Sequence, residues 1–231
     1  MQHRSVDDVM TREVVTARPD TPFKEIVALF HRDDITAVPV LDEEGRPLGM
    51  VSEADLVRKE AVLPDPDGRY PGRWLDAADR ARAEAETAGG LMTRPAVTAR
   101  PGWTVAEAAR AMDKHRVKRL AVVDEIGRLV GIVSRRDLLQ VFLRRDTAIK
   151  EEIVHEVLGR TLGLAPEAVR ATVHDGVVTL AGRLPRRSLI PVTERLCRAV
   201  DGVVAVHHTL DWTEDDTGPR FEHPRAYRAA T

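Results

Sequence analysis

The stretch Met10-Thr11-Arg12-Glu13-Val14-Val15-Thr16-Ala17-Arg18-Pro19 returns 82 residues later as Met92-Thr93-Arg94-Pro95-Ala96-Val97-Thr98-Ala99-Arg100-Pro101. Carried outward at the same offset, the pairing runs without a gap from Met10–Val57 to Met92–Leu139, and 19 of those 48 positions are identical. The identities include Gly45/Gly127, Gly49/Gly131, Ser52/Ser134 and Asp55/Asp137. Chance does not produce this without gaps, so the chain holds a tandem duplication, and a duplication fixes the architecture before any single element is placed.

Each copy reads as strand, helix, strand, strand, helix. In the first, Val14-Val15-Thr16 is a short extended segment. Thr21 is placed as an N-cap, with Pro22 at the first helical position, where its missing N–H costs nothing. Phe23, Ile26, Val27 and Phe30 then fall on one helical face. Ala37–Leu41 and Arg46–Val51 form a hairpin around Asp42-Glu43-Glu44-Gly45. Ser52 opens a helix over Glu53–Glu60. In the second copy, Thr104-Val105-Ala106-Glu107 is a capping box. Val105, Ala108, Ala109 and Met112 form its apolar face, and Arg119–Val123 and Arg128–Val133 form its hairpin. Ser134 opens a helix to about Arg145. One copy of about 50 residues buries too little surface to stand alone, so the two are expected to pack sheet to sheet about a pseudo-twofold axis. Between them, residues 61–87 begin with a Pro- and Gly-rich stretch and end in an Ala-, Arg- and Glu-rich helix over Trp74–Thr87.

Composition bounds the function classes. Of 231 residues, 43% are hydrophobic and 31% charged, an ordinary globular balance. Lys and Arg number 35 against 37 Asp and Glu, a net charge of −2, without the basic excess of a nucleic-acid binder. Aromatics, at 4%, are too few for base stacking along a strand. Cys197 is the single cysteine, so no intramolecular disulfide forms. No run nears 18 apolar residues and Met1–Asp8 lacks a signal-type apolar core, which together predict a cytoplasmic protein. A Gly-rich phosphate loop, a metal-ligand cluster and a nucleophile elbow are all missing, so neither a catalytic site nor a metal site is expected. His207-His208 are neighbours on a strand and point to opposite faces, so they do not chelate together.

The chemistry-bearing feature is Gly49-Met50-Val51-Ser52-Glu53-Ala54-Asp55, repeated as Gly131-Ile132-Val133-Ser134-Arg135-Arg136-Asp137. The strand ends at the serine and a helix begins, with the aspartate at its third position. A carboxylate there complements the helix dipole. It also accepts two hydrogen bonds from vicinal hydroxyls, as a ribose offers. The spacing alone leaves both roles open, since S-x-x-D is also close to a capping box.

The pattern V-M-T-x-x-x-x-T followed by h-P-V-h-D-x-x-G-x-x-x-G-h-V-S-x-x-D-L, at Asp8–Thr16 with Pro39–Leu56 and at Gly90–Thr98 with Ala121–Leu138, resembles the cystathionine β-synthase (CBS) domain. Two in tandem resemble a Bateman module, a sensor of adenosyl compounds. The resemblance implies an α+β fold in which residues 6–60 and 88–145 are CBS repeats of α/β type around the linker 61–87. It implies an adenine nucleotide (AMP, ADP or ATP) as regulatory ligand and a homodimer formed through the module's helices. Asp55 and Asp137, with Ser52 and Ser134, would hold the ribose. Lys118 and Arg119, in His115-Arg116-Val117-Lys118-Arg119, resemble the basic stretch before the equivalent strand in the γ subunit of AMP-activated protein kinase, where such residues meet phosphates. Their bland alternative is a solvated strand start. The first copy has uncharged Thr36 and Ala37 there, so the two clefts are expected to be unequal. Thr16 and Thr98 would close the base pocket or serve only as turn hydroxyls, and Val38 and Leu120 would be its apolar walls.

Residues 146–213 form a further αββαβ unit. Ala148–Gly159 is helical, with Ile149, Ile153, Val157 and Leu158 on one face. Val169–His174 and Val177–Leu184 flank the hairpin turn Asp175-Gly176. Ser188–Val200 is a helix, Gly202 stops it, and Val203–Leu210 is a strand. Thr172–Gly182 and Val200-Asp201-Gly202-Val203 resemble the BON domain, a family suggested to contact phospholipid surfaces or other envelope components. Nine acids and eight bases give this segment a net charge of −1, against anionic-lipid binding and in favour of a protein partner or self-association. Residues 214–231 read as a flexible tail. The whole predicts a nucleotide-responsive regulator acting on the BON unit or a partner. The alternative is a dimeric scaffold without ligand, whose BON unit contacts protein or phospholipid.

Overall fold

The computed structural model describes residues 4–61 and 77–218, with only the backbone of 77–79. Trp74–Asp76, most of the linker's Pro/Gly stretch and tail residues 219–231 lie outside the described residues. Contacts divide the chain into two compact units, Arg4–Gln140 and a second beginning at Val141. Among the described residues no helix is long and apolar enough to cross a membrane.

In the first unit every element of the first repeat has its counterpart 82 residues on. Helix α1 (Val6–Val9) opens repeat one, followed by α2 (Phe23–Asp33), strands β1 (Ala37–Leu41) and β2 (Pro47–Ser52), and α3 (Glu53–Ala61). Helix α4 (Ala77–Glu84) belongs to the linker. Repeat two supplies α5 (Ala88–Leu91), β3 (Thr98–Ala99), α6 (Val105–Lys114), β4 (Arg119–Val123), β5 (Leu129–Ser134) and α7 (Arg135–Leu139). Both hairpins turn on a glycine in the left-handed region, Gly45 at φ +81° and Gly127 at φ +85°. The Asp42 and Asp124 carboxylates each accept two turn amides.

The repeats interdigitate reciprocally. Met10, from the segment before repeat one's own helix α2, packs in the core of repeat two with Ala108, Met112, Leu120 and Val133. Met92 packs in the core of repeat one with Ile26, Phe30, Val38 and Val51. Thr11 and Ile132 exchange backbone hydrogen bonds of 2.9 Å each way, and Thr93 and Met50 do the same at 2.9 and 3.0 Å. The glycines at 49 and 131 make this possible. A Cβ at Gly49 would stand 2.6 Å from the Met92 sulfur, and one at Gly131 would stand 2.6 Å from the Met10 sulfur. The expected pseudo-twofold relation is therefore present as an exchange of the Met-Thr segments between repeats.

Several local expectations are corrected. Thr21 does not cap α2. Its hydroxyl accepts from the Arg18 amide at 2.9 Å and closes the preceding turn, so the helix starts at Phe23. Val27 is 42% exposed, and Ala109 is exposed too; the buried stripes are narrower, Ile26 with Phe30 and Ala108 with Met112. Val14–Thr16 forms no strand, only a parallel bridge from Ala17 to Val40, whereas the second copy forms β3, paired parallel to β4. The helix after Ser134 ends at Leu139 and tightens into a 3-10 turn, Gln140–Leu143. From Val141 onward the chain belongs to the second unit, where Arg144 pairs with Glu152 at 2.9 Å and donates to the Asp201 carbonyl.

The second unit follows the order α8 (Asp146–Glu152), a π-helical segment Ile153–Thr161, β6 (Val169–His174), β7 (Val177–Arg186), α9 (Leu189–Arg198) and β8 (Ala205–Glu214). The expected single α-helix widens halfway, with the Leu162 amide reaching back five residues to the Val157 carbonyl. Its four apolar residues are all buried as expected. The sheet order is β6-β7-β8, antiparallel then parallel. Asp175 at φ 47° and Gly176 at φ 73° make the tight hairpin turn. The Asp146 carboxylate accepts both turn amides, at 2.8 and 2.9 Å, and so ties the start of α8 to the turn.

Candidate functional site

In each repeat the backbone fastens a strand start to a helix start. The Glu53 amide donates to the Thr36 carbonyl, and the Arg135 amide donates to the Lys118 carbonyl, both at 3.0 Å. Register pairs Ala37 with Ser52 and Arg119 with Ser134. Thr36, Ser52 and Asp55 are thereby gathered at one end of a hairpin, and Lys118, Arg119, Ser134 and Asp137 at the equivalent end of the other. Thr98 is half-buried and paired with Ala121, next to Leu120. Thr16 is exposed beside Ala17, whose amide donates to the Pro39 carbonyl. Val38 and Leu120 are wholly buried and pack within the two cores.

The two carboxylates are held alike on one side. Oδ2 of Asp55 accepts from the Ser52 amide at 2.9 Å and from its hydroxyl at 2.6 Å. Oδ2 of Asp137 accepts from the Ser134 amide and hydroxyl, both at 2.7 Å, and the Asp137 amide donates back to the Ser134 hydroxyl, completing a capping box. Capping is thus one role of both aspartates. It uses one oxygen of each and leaves the chemistry of the other open.

The other oxygens differ. Oδ1 of Asp55 accepts from Nη1 of Arg58 at 3.2 Å, one turn along α3, and the aspartate side chain is only 8% exposed. The residue corresponding to Arg58 in repeat two is Gln140. Arg58 escaped the sequence reading, although its i,i+3 spacing to Asp55 was a usable signal. A second contact had no local signal. Nη2 of Arg119 donates to the Thr36 hydroxyl, from residues 83 apart, and so joins the strand starts of the two repeats. The cation expected on repeat two alone lies between both sites.

Elsewhere, Asp146, His174 and Asp175 come close enough to share an ion, but both Asp146 oxygens are engaged by turn amides and the other two side chains are about 90% exposed. Cys197 is fully buried, and burial pushes its thiol up to about 12.

The CBS domain family matches residues 6–61 and 88–144, and the BON domain family matches residues 145–214. The uncharacterized protein MJ1426 of Methanocaldococcus jannaschii is 30% identical over 153 residues, 60% of this chain and 90% of that protein. The uncharacterized protein MK0525 of Methanopyrus kandleri is 31% identical over 153 residues, 66% of this chain and 70% of that one. Among solved structures, CBSX2 in complex with AMP matches with a TM-score of 0.50 at 26% identity, over 60% of this chain and 96% of its own. The chain thus belongs to the CBS-domain proteins, with two tandem CBS domains followed by a C-terminal BON domain.

Proposed function

We propose that the CBS pair binds an adenine nucleotide and that occupancy regulates the BON domain or a partner protein, with no catalytic step. The carrying observation is the repeated placement of a carboxylate at a helix start, fastened to a strand start that in repeat two carries Lys118 and Arg119. The likeness to a CBS pair solved with AMP supports the ligand class. Asp137, and more weakly Asp55, would accept the ribose hydroxyls, with Ser134 and Ser52 fixing each carboxylate. Lys118 and Arg119 would meet phosphate as charge-assisted donors. Thr36 would border the phosphate end of the first cleft. Thr98 and Thr16 would border the base, with Val38 and Leu120 as apolar backing. Regulation would be a population shift toward whichever arrangement binds the nucleotide better. Val57 on α3 and Leu139 on α7, equivalent positions 65% and 62% exposed, support a homodimer through these helices. A cytoplasmic location fits such a sensor.

Calorimetric titration of ligand-stripped protein with AMP, ADP and ATP tests the reading. Saturable heat with at least one is expected, and no heat with any refutes it.

The complete burial of Val38 and Leu120 favours a second reading, in which the clefts are vestigial and the CBS pair is a scaffold presenting the BON domain to a protein or phospholipid. Co-sedimentation with anionic and neutral liposomes separates lipid from protein partners.

A further inference from the structure

The unequal surroundings of Asp55 and Asp137 carry one step more, which rests on the nucleotide reading above. We propose that Arg58 is a built-in latch on the first cleft, so that the CBS pair takes one nucleotide per chain, in the cleft of Asp137.

The two carboxylates differ in spare hydrogen-bonding capacity. A carboxylate has about four lone-pair positions, two on each oxygen. In both repeats Oδ2 is filled by a serine amide and hydroxyl. A cis-diol brings two O–H donors and needs two free acceptor positions. Oδ1 of Asp137 has both, since among the described residues no donor reaches it. Oδ1 of Asp55 already accepts from Arg58. The guanidinium also neutralises the charge that would attract hydroxyl donors, and the pair is largely shielded from water, at 28% and 8% exposure. A ribose entering there must displace a charge-assisted hydrogen bond from the Asp55 carboxylate, a cost the second cleft does not carry. The latch is local, because Arg58 is the third residue past Asp55 on the same helix. The duplication supplies an internal control, since Gln140 at the matching position carries no charge.

AMP titrations of the full, ligand-stripped chain test this by stoichiometry. The expected results are one AMP per chain, lost in Asp137→Asn and kept in Asp55→Asn. Arg58→Gln, which copies the second repeat, is expected to bind two. Its added event should disappear again in Arg58→Gln/Asp55→Asn and survive in Arg58→Gln/Asp137→Asn. The converse exchange, Gln140→Arg, should weaken the wild-type event about tenfold, the loss of roughly one charge-assisted hydrogen bond. Melting curves identify any variant that fails to fold, and Gln140→Arg tests the idea without touching Arg58. One site in folded Arg58→Gln, or wild-type binding that needs Asp55 and not Asp137, overturns the latch and leaves nucleotide binding standing. Absence of heat in the wild type and in every variant overturns both.

Discussion

At the scale of single residues, the glycines at 49 and 131 decide how closely the repeats approach. Each lies against a methionine sulfur and a threonine carbonyl of the opposite repeat's exchanged segment, with backbone on one side that cannot yield. Gly49→Ala or Gly131→Ala is therefore expected to destabilise the first unit by about 1–3 kcal/mol, the range for overpacking a tight contact, read as a lower denaturation midpoint. Cys197 makes the opposite kind of statement. With its thiol pushed up to about 12 by burial, it should resist a thiol reagent at pH 8 in the native protein and react at once in denaturant. Fast native-state labelling would contradict that burial. The duplicated aspartates were legible from sequence because the serine three residues before each sets a strand-to-helix junction. The difference between them was not read, since it depends on whether the residue one turn later is arginine or glutamine. Arg119 touching Thr36 was beyond sequence, because two strand starts 83 residues apart meet only through the pairing of the repeats.

At the scale of elements, the hairpin strands of the two repeats were read to within a residue, because glycines in left-handed turns and runs of buried apolar residues mark their ends, whereas Val14–Thr16 forms no strand and the last strand, expected over Val203–Leu210, runs Ala205–Glu214. The helices were read less well at their boundaries. A competing turn hydrogen bond moved the start of α2, and the widening to a π-helix after Glu152 leaves the same apolar residues buried, so periodicity does not reveal it. The tail was expected to be loose from Glu214, yet Asp215 and Asp216 bind back onto the start of α9. The Thr217 hydroxyl and the Arg187 guanidinium hold the Asp215 carboxyl down at about 2, below its ordinary 3.8. A carboxyl lowered in the folded state binds protons more weakly there than in the unfolded chain. Its contribution is therefore whole above pH 3.8 and is lost as the pH falls through about 2. The Arg187–Asp215 clasp beside α9 should persist at pH 4 and open near pH 2, followed by the amide resonance of Thr217, which donates to the Asp215 carboxylate at 3.1 Å. Opening already at pH 4 would contradict this assignment.

At the scale of the whole molecule, neither repeat completes its own core, since Met10 and Met92 each fill the other's. The CBS pair should consequently unfold as one unit, and Ile26→Ala should lower the stability of both repeats together, by about 2–5 kcal/mol. Two separate transitions within residues 4–140 would contradict that. If the chain pairs through α3 and α7 as proposed, Val57→Asp combined with Leu139→Asp should halve the mass by light scattering, and an unchanged mass would contradict pairing through these helices. The duplication made this architecture legible in outline, because the 82-residue offset predicts a twofold pair. The exchange of the Met-Thr segments was not legible, because either repeat's core would accept either methionine. If the pairing of the repeats forms the proposed nucleotide site at the second repeat's strand and helix starts, amide chemical shifts of labelled protein titrated with AMP will locate it. Saturable shifts should concentrate at Lys118, Arg119, Ser134 and Asp137. No saturable shift, or shifts confined to residues beyond 145, would contradict it.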